Sequence, residues 1–337
     1  MAGKKYDIIT FGSATEDVFM SSHEFKEVEG EQFVTQKGLC VPLGSKMHME
    51  KVVFSMGGCG TNSACTFAEQ GMKTAYFGAV GQDGFGWEVK KELERHGVSL
   101  DLLKELDNYP TAFSVVLSMP NTERSILEKY GACHELKKED LPLDRLKANW
   151  FYVSSLSAGS HSILAPVLEF AGKNGIKVSS NPAGSLKTDE NTEILKMVLD
   201  KIDVLILNQE ESSLLTGIDY QNEKEIFKKL DEMIEGIAVM TKGPDGVVVS
   251  DGKKLYSAGI PESGMVDRTG AGDAFGAAFT AGYIERLAVS DKRSAIEHAI
   301  QLGTANATSV LQEFGATNGL LKKGEWGIWP KVEVRID

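Results

Sequence analysis

Cysteine is scarce in this sequence. The 337 residues include four, Cys40, Cys59, Cys65 and Cys133, and no two form a C-x-x-C pair. That argues against a disulfide scaffold, and a chain of this length has core enough to fold without one. Free thiols in a reducing cytoplasm are the expectation, with Cys59 a small space-filler in a Gly-rich turn. Long apolar runs are also missing. None approaches a membrane span, and the opening M-A-G-K-K-Y-D carries no apolar signal region. Positive charge is in deficit. Lys and Arg number 36 against 48 Asp and Glu, a net charge of -12. A nucleic-acid binder would usually carry a basic face, so neither nucleic acid nor membrane is expected as a partner. An acidic surface gives an anionic ligand no help, so phosphate would have to be held by backbone N–H groups and a metal.

One stretch offers such N–H groups. Val266 to Phe279 reads V-D-R-T-G-A-G-D-A-F-G-A-A-F, a loop that opens through Gly270, Ala271 and Gly272 into a helix. The first N–H groups of a helix lack partners inside it, and the helix dipole adds positive potential there. Asp273 at that mouth repels a bound phosphate, which suggests that it takes a proton from an attacking hydroxyl. The plainer reading is a helix cap in a tight turn.

The chain ahead of this stretch has a clear order. Tyr6 to Phe11 is a short apolar run that reads as a buried strand. It is followed by G-S-A-T-E-D, which places Asp17 where ligands bind in open α/β sheets. Residues 18 to 56 favour extended structure in Q-F-V-T-Q and H-M-E-K-V-V-F-S-M. A hairpin follows between T-A-F-S-V-V-L-S-M and R-S-I-L-E-K-Y, with Pro120 and Asn121 in its turn. These β segments, about 18–56 and 109–130, are expected to form a small lid sheet. Gly57 to Gly71 is a Gly-rich turn and helix; it lacks the third glycine of a dinucleotide fingerprint, so NAD is not expected. Asp83 in G-Q-D-G-F-G reads as a structural cap. From Trp150 strands and helices alternate, which indicates a parallel sheet covered on both faces. The N-Q-E-E of Asn208 to Glu211 can cap a helix, and T-K-G-P-D-G reads as a hairpin turn. No linker or repeat divides residues 1–337.

Taken together, D-R-T-G-A-G-D-A-F, G-G-C-G-T-N and N-Q-E-E resemble the motifs of the ribokinase (PfkB) family of small-molecule kinases. The resemblance implies an α/β, three-layer, ribokinase-like fold with a mostly parallel central sheet and a small β lid. It implies ATP-dependent phosphorylation of a hydroxyl on a sugar or related polyol, with Asp273 as general base and Gly270, Ala271 and Gly272 in the anion hole. Asp17, Gly57, Gly58 and Asn62 match substrate-binding positions. Thr241, Gly243, Gly246, Asn208 and, more loosely, Asn306 match positions around the nucleotide. Glu211 would order water around Mg²⁺. Asp267, Thr269 and Gly315 match a monovalent-cation site, so activation by K⁺ is expected. Several members of the family dimerise through the lid, and a homodimer is expected here. The sequence contains no G-x-x-x-x-G-K-S/T, no H-R-D and no D-F-G, so it is neither a P-loop nor a protein kinase. A nucleoside kinase of the same fold, and a non-catalytic sugar or nucleotide sensor, stand as the alternatives. The acceptor itself is not named by fold and base.

Overall fold

The computed structural model describes residues 5–33, 36–119 and 124–337. Strand β1 (Tyr6–Phe11) turns at Gly12 directly into β2 (Thr15–Ser21). Next come β3 (Lys26–Glu29), β4 (Lys37–Cys40), β5 (Lys51–Gly57), α1 (Cys59–Glu69), β6 (Thr74–Phe77), β7 (Ala79–Gly81), α2 (Gly84–Arg95), β8 (Lys104–Leu106), β9 (Ala112–Ser118) and β10 (Ser125–Lys129). The alternating part holds β11 (Ala148–Val153), α3 (Leu164–Asn174), β12 (Lys177–Ser180), α4 (Asp189–Lys196), β13 (Val204–Asn208), α5 (Gln209–Thr216), α6 (Glu223–Met233) and β14 (Ile237–Thr241). The chain closes with β15 (Val247–Ser250), β16 (Leu255–Ala258), α7 (Ala271–Leu287), α8 (Lys292–Val310) and β17 (Arg335–Ile336).

The main sheet runs β17-β16-β15-β14-β13-β12-β11-β1-β6. From β6 to β14 the neighbours are parallel, and β15, β16 and β17 add antiparallel strands at one edge. Successive side chains of a strand point to opposite faces, and the core divides accordingly. Ile9, Phe151, Val178, Leu205 and Leu207 pack with α3, α5 and α6. Ile8, Tyr152, Val204, Ile206 and Val239 pack with α1, α7 and α8. The result is the expected three-layer α/β fold with both faces covered. Residues such as Gly276, Ala277, Ala278 and Gly303 keep α7 and α8 slim, which lets them pack closely against each other and the sheet.

A second sheet, β10-β9-β2-β5, grows from the C-terminal end of β1. β9 and β10 fall within the second segment read as β-rich, whereas β2 starts at Thr15, ahead of the first segment, and β5 ends at Gly57, just past it. Inside the first segment the Q-F-V-T-Q tract includes residues 34 and 35, which lie outside the described residues. Next to it, Gly30 N–H donates to the Gln36 carbonyl at 3.0 Å and Phe33 N–H to the Gly30 carbonyl at 3.1 Å, at the end of the β3–β4 hairpin. That small hairpin is largely exposed, and no core face rewards extending its strands. The strand foreseen over Thr74 to Val80 breaks at Gly78, where a Cβ would lie 1.8 Å from the Tyr76 hydroxyl. The turn containing Pro120 and Asn121 lies outside the described residues.

Candidate active site

Asp17 lies on β2, in parallel register with Ser114 of β9. Its Oδ1 accepts the Ser114 hydroxyl at 2.6 Å and the Thr15 hydroxyl at 3.3 Å. Its Oδ2 makes no hydrogen bond among the described residues and rests against Gly57, where a Cβ would come within 2.0 Å. Glycine at 57 is therefore required by the carboxylate itself. Burial pushes the Asp17 carboxyl above its ordinary range, against the Ser114 and Thr15 bonds that pull it down. Gly58 follows as the N-cap of α1, and Asn62 stands in that helix's first turn.

Asn62 Nδ2 donates to Asp273 Oδ2 at 2.9 Å, joining the start of α1 to the start of α7. The other half of that amide, Oδ1, is buried and has no hydrogen-bond partner among the described residues. Asp273 is 8 % exposed. It does not cap its helix. Gly270 is the N-cap, with φ 75°, and no described side chain bonds to the N-terminus of α7. A side chain at 270 would also strike Ala316, whose Cβ lies 2.2 Å from the added atom. The uncapped start leaves the N–H groups of Gly272 and Asp273 available, and the space beside Gly272 is open. Burial pushes the Asp273 carboxyl up; the Asn62 and Cys59 bonds oppose this, while the Asp17 and Glu211 charges add to it. Cys59 is thus more than a space-filler, because its thiol lines the Asp273 carboxyl. Burial and that carboxylate hold the thiol well above its usual range, so it stays protonated.

Of the other motif residues, Glu211 lies near enough for its charge to bear on Asp273. Asn208 and Glu211 form a capping box at the start of α5. Asn208 Oδ1 accepts Glu211 N–H at 2.8 Å, and Glu211 Oε2 accepts Asn208 N–H at 2.9 Å. Glu211 Oε1 takes Gly184 N–H at 2.8 Å. The cap reading is therefore realised, and each oxygen retains a lone pair for water. Thr241 ends β14 opposite Asn208, and Gly243 and Gly246 form the turn into β15. Lys242 is spent on Glu223 at 2.7 Å. Asn306 stands apart from the open site. It is fully buried, donating to the Ala274 carbonyl at 3.0 Å and accepting Leu321 N–H at 2.9 Å, a clip between helix and tail. Asp267, Thr269 and Gly315 do meet: Asp267 Oδ1 accepts the Thr269 hydroxyl at 2.8 Å and Oδ2 accepts Gly315 N–H at 3.2 Å. Asp83 caps α2 through Gly86 N–H at 2.8 Å and also takes Thr111 N–H at 2.7 Å, pinning the entry to β9.

Three neighbours escape sequence reasoning: Ser114, the Gly184 N–H and Arg124, whose Nη1 donates to Asp267 Oδ1 at 2.8 Å. None belongs to a motif string. Only the pairing of β9 with β2 could have pointed to Ser114.

Comparison with known proteins agrees with the fold. A ribokinase from Lactococcus lactis is 28% identical over 297 residues, spanning 87% of this chain and 91% of its own. The structure of Arabidopsis thaliana ribokinase complexed with ribose and ATP superposes with TM-score 0.75 at 23% identity, over 94% of this chain and 96% of that one. A putative ribokinase II from E. coli in complex with ATP and Mg²⁺ gives TM-score 0.76 at 18% identity, over 93% and 95%. The family model described as pfkB family carbohydrate kinase matches residues 28–323. With its motifs, its three-layer fold and this match across most of its length, the chain belongs to the pfkB family of carbohydrate kinases.

Proposed function

We propose that the chain transfers the γ-phosphoryl group of ATP to a hydroxyl of a sugar or small polyol. The observation that carries this reading is Asp273, a buried carboxylate in the first turn of an uncapped helix, fixed by Asn62. Asp17 Oδ2 and the unpartnered Asn62 Oδ1 offer acceptors to substrate hydroxyls. One hydroxyl oxygen attacks the γ-phosphorus, its proton passes to the Asp273 carboxylate, and the bond to the ADP oxygen breaks. The N–H groups of Gly270 to Asp273 face the charge on the transferred group. Thr241, Gly243 and Gly246 would line the nucleotide. Glu211, with a lone pair left on each oxygen, suits a Mg²⁺ ion held mainly by phosphates and water, which would neutralise phosphate charge. The second sheet would act as the lid that keeps water from ATP. Its exposed Val52, Phe54, Ile126 and Leu127 suit pairing with a second copy. Four free thiols fit a reducing compartment such as the cytoplasm.

The test is a phosphorylation screen of the purified protein with ATP and Mg²⁺ against pentoses, hexoses, 2-keto-3-deoxy acids and nucleosides. A phosphorylated acceptor and ADP in equal amounts are expected, and a nucleoside product would move the acceptor class without moving the mechanism. ATP binding with no product from any acceptor would instead leave a sensor.

A further inference from the structure

Arg124 stands immediately before β10, on the outer strand of the second sheet. Its Nη1 donates to Asp267 Oδ1 at 2.8 Å and to Thr269 Oγ1 at 2.6 Å. Asp267 Oδ1 also accepts Thr269 N–H at 3.0 Å, and its Oδ2 accepts Gly315 N–H at 3.2 Å. A monovalent cation needs oxygens with free lone pairs and net negative charge. Here the Asp267 and Thr269 side-chain oxygens already face N–H donors, and a full positive charge sits on them. These residues do not fit an added K⁺. The pair is sheltered, with side-chain exposures of 23% for Arg124 and 7% for Asp267, so solvent screens it weakly. A second contact joins the same two parts of the molecule. Phe314, beside Gly315, meets Phe19 of β2 edge to face at 6.4 Å between centroids, and Lys51 Nζ of β5 lies 3.2 Å from the Phe314 centroid.

We propose that Arg124 is a built-in substitute for the monovalent cation, carried by the second sheet. Its charge neutralises Asp267, and its bonds hold Asp267 and Thr269 so that the adjoining N–H groups of Gly270 to Asp273 face the phosphate. Without that charge the Asp267 carboxylate would repel the phosphoryl group approaching the same loop. Because Arg124 belongs to the second sheet, withdrawal of that sheet removes the charge from the anion hole. Closure over the acceptor and readiness for transfer thereby become one event. Arg124 is a positioning residue, acting through Asp267 and Thr269. Its effect on rate rests on the kinase reading; its effect on cation binding does not.

The experiment compares the native protein, Arg124→Met and Arg124→Lys in K⁺, Na⁺ and tetramethylammonium at equal ionic strength, by turnover and by thermal midpoint. The native protein should show the same rate and midpoint in all three salts. Arg124→Met should lose roughly 10²-fold in kcat with a much smaller change in acceptor KM, and K⁺ or added guanidinium should restore about tenfold of it. Its midpoint should also gain a rise specific to K⁺. Arg124→Lys keeps the charge and should fall between. A native protein that needs K⁺, or is selectively stabilised by it, overturns the proposal. So does Arg124→Met if it matches native turnover, or if its loss is restored by neither cation. Should the native protein phosphorylate nothing, the kinase reading fails and the midpoints decide. A K⁺-specific rise in Arg124→Met alone supports the proposal, and its absence rejects it. If Arg124→Met does not fold, the native salt series and Arg124→Lys carry the same decision.

Discussion

Asp17 and Asp273 are both buried carboxylates pushed above the ordinary range, yet their partners suit them to different work. Asp17 has one oxygen tied to Ser114 and Thr15 and the other resting against Gly57. Asp17→Asn should chiefly raise acceptor KM, since an amide still bonds hydroxyls. Asp273→Asn keeps size and the Asn62 neighbour but cannot take a proton. Its kcat should fall on the order of 10²–10⁴-fold with ATP binding intact, read by steady-state kinetics and nucleotide titration. Near-native kcat in that variant would remove the base assignment. A base works only when ionised, and burial raises the Asp273 carboxyl, so the acid limb of native kcat/KM should lie above the ordinary Asp value of 3.8. Glu16, next to Asp17 but pointing the other way, is raised to about 7 by burial and by the Asp17 charge. Its Oε2 is buried with no hydrogen-bond partner among the described residues, beside a cavity of about 670 Å³ that Phe54, Phe85 and Glu88 also line. A carboxyl with a raised folded pKa binds its proton more tightly in the folded state, so stability falls as pH rises from about 4.5 to about 7. Glu16→Gln should flatten that fall and stabilise the protein at pH 8 by on the order of 1–2 kcal/mol, discounted for water in the cavity. Urea midpoints at pH 5 and pH 8 would show it, and an unchanged pH slope would count against the buried charge.

At the scale of the element, the start of α7 has a geometry that few residues allow. Gly270 has φ 75°, and a Cβ there would meet Ala316 at 2.2 Å. Gly270→Ala adds left-handed strain of about 1–2 kcal/mol and overpacking of about 1–3 kcal/mol. Thermal unfolding should report a loss of that order. The backbone shift should also lower kcat, because it moves the N–H groups that follow. A stable variant of normal rate would mean that this turn does not set the anion hole. Two other helix starts are spent on structure. Glu211 and Asn208 close the first turn of α5, and Asp83 caps α2 while holding Thr111. Helices α1, α3 and α6 also start without a side-chain cap, and α7 differs from α1 and α3 in carrying a buried carboxylate, Asp273, in its first turn.

For the whole molecule, the second sheet is tied to the main body through Arg124 on Asp267 and Phe314 on Phe19. If it closes over the acceptor, ATP hydrolysis without acceptor should be slow and total ATP consumption should rise strongly once the right acceptor is added. A coupled ADP assay reads both, and equal rates would exclude a lid of this kind. The same sheet exposes Phe54 at 62% and Leu127 at 59%. Phe54→Asp should turn a dimer into a monomer in sedimentation velocity while leaving the fold intact. A native protein that is monomeric at all concentrations would reject the lid interface.

The sequence by itself determined what depends on neighbours along the chain. The run D-R-T-G-A-G-D-A-F reads as an anion-binding turn because glycine, helix start and carboxylate follow one another. The strand–helix alternation from Trp150 reads as a covered parallel sheet because periodicity is local. The single strand read over Thr74 to Val80 splits at Gly78, where the Tyr76 hydroxyl leaves no room for a side chain. Only the tertiary structure decided which distant groups meet. Ser114 reaches Asp17 because β9 lies beside β2 in one register, and a slip of one residue would turn it to the other face. Asn62 reaches Asp273 across 211 residues because two helices begin at the same sheet edge. Arg124 reaches Asp267 across 143 residues because the second sheet folds over the loop before α7. Such pairings depend on the register and packing of several elements at once, so no short window of sequence contains them.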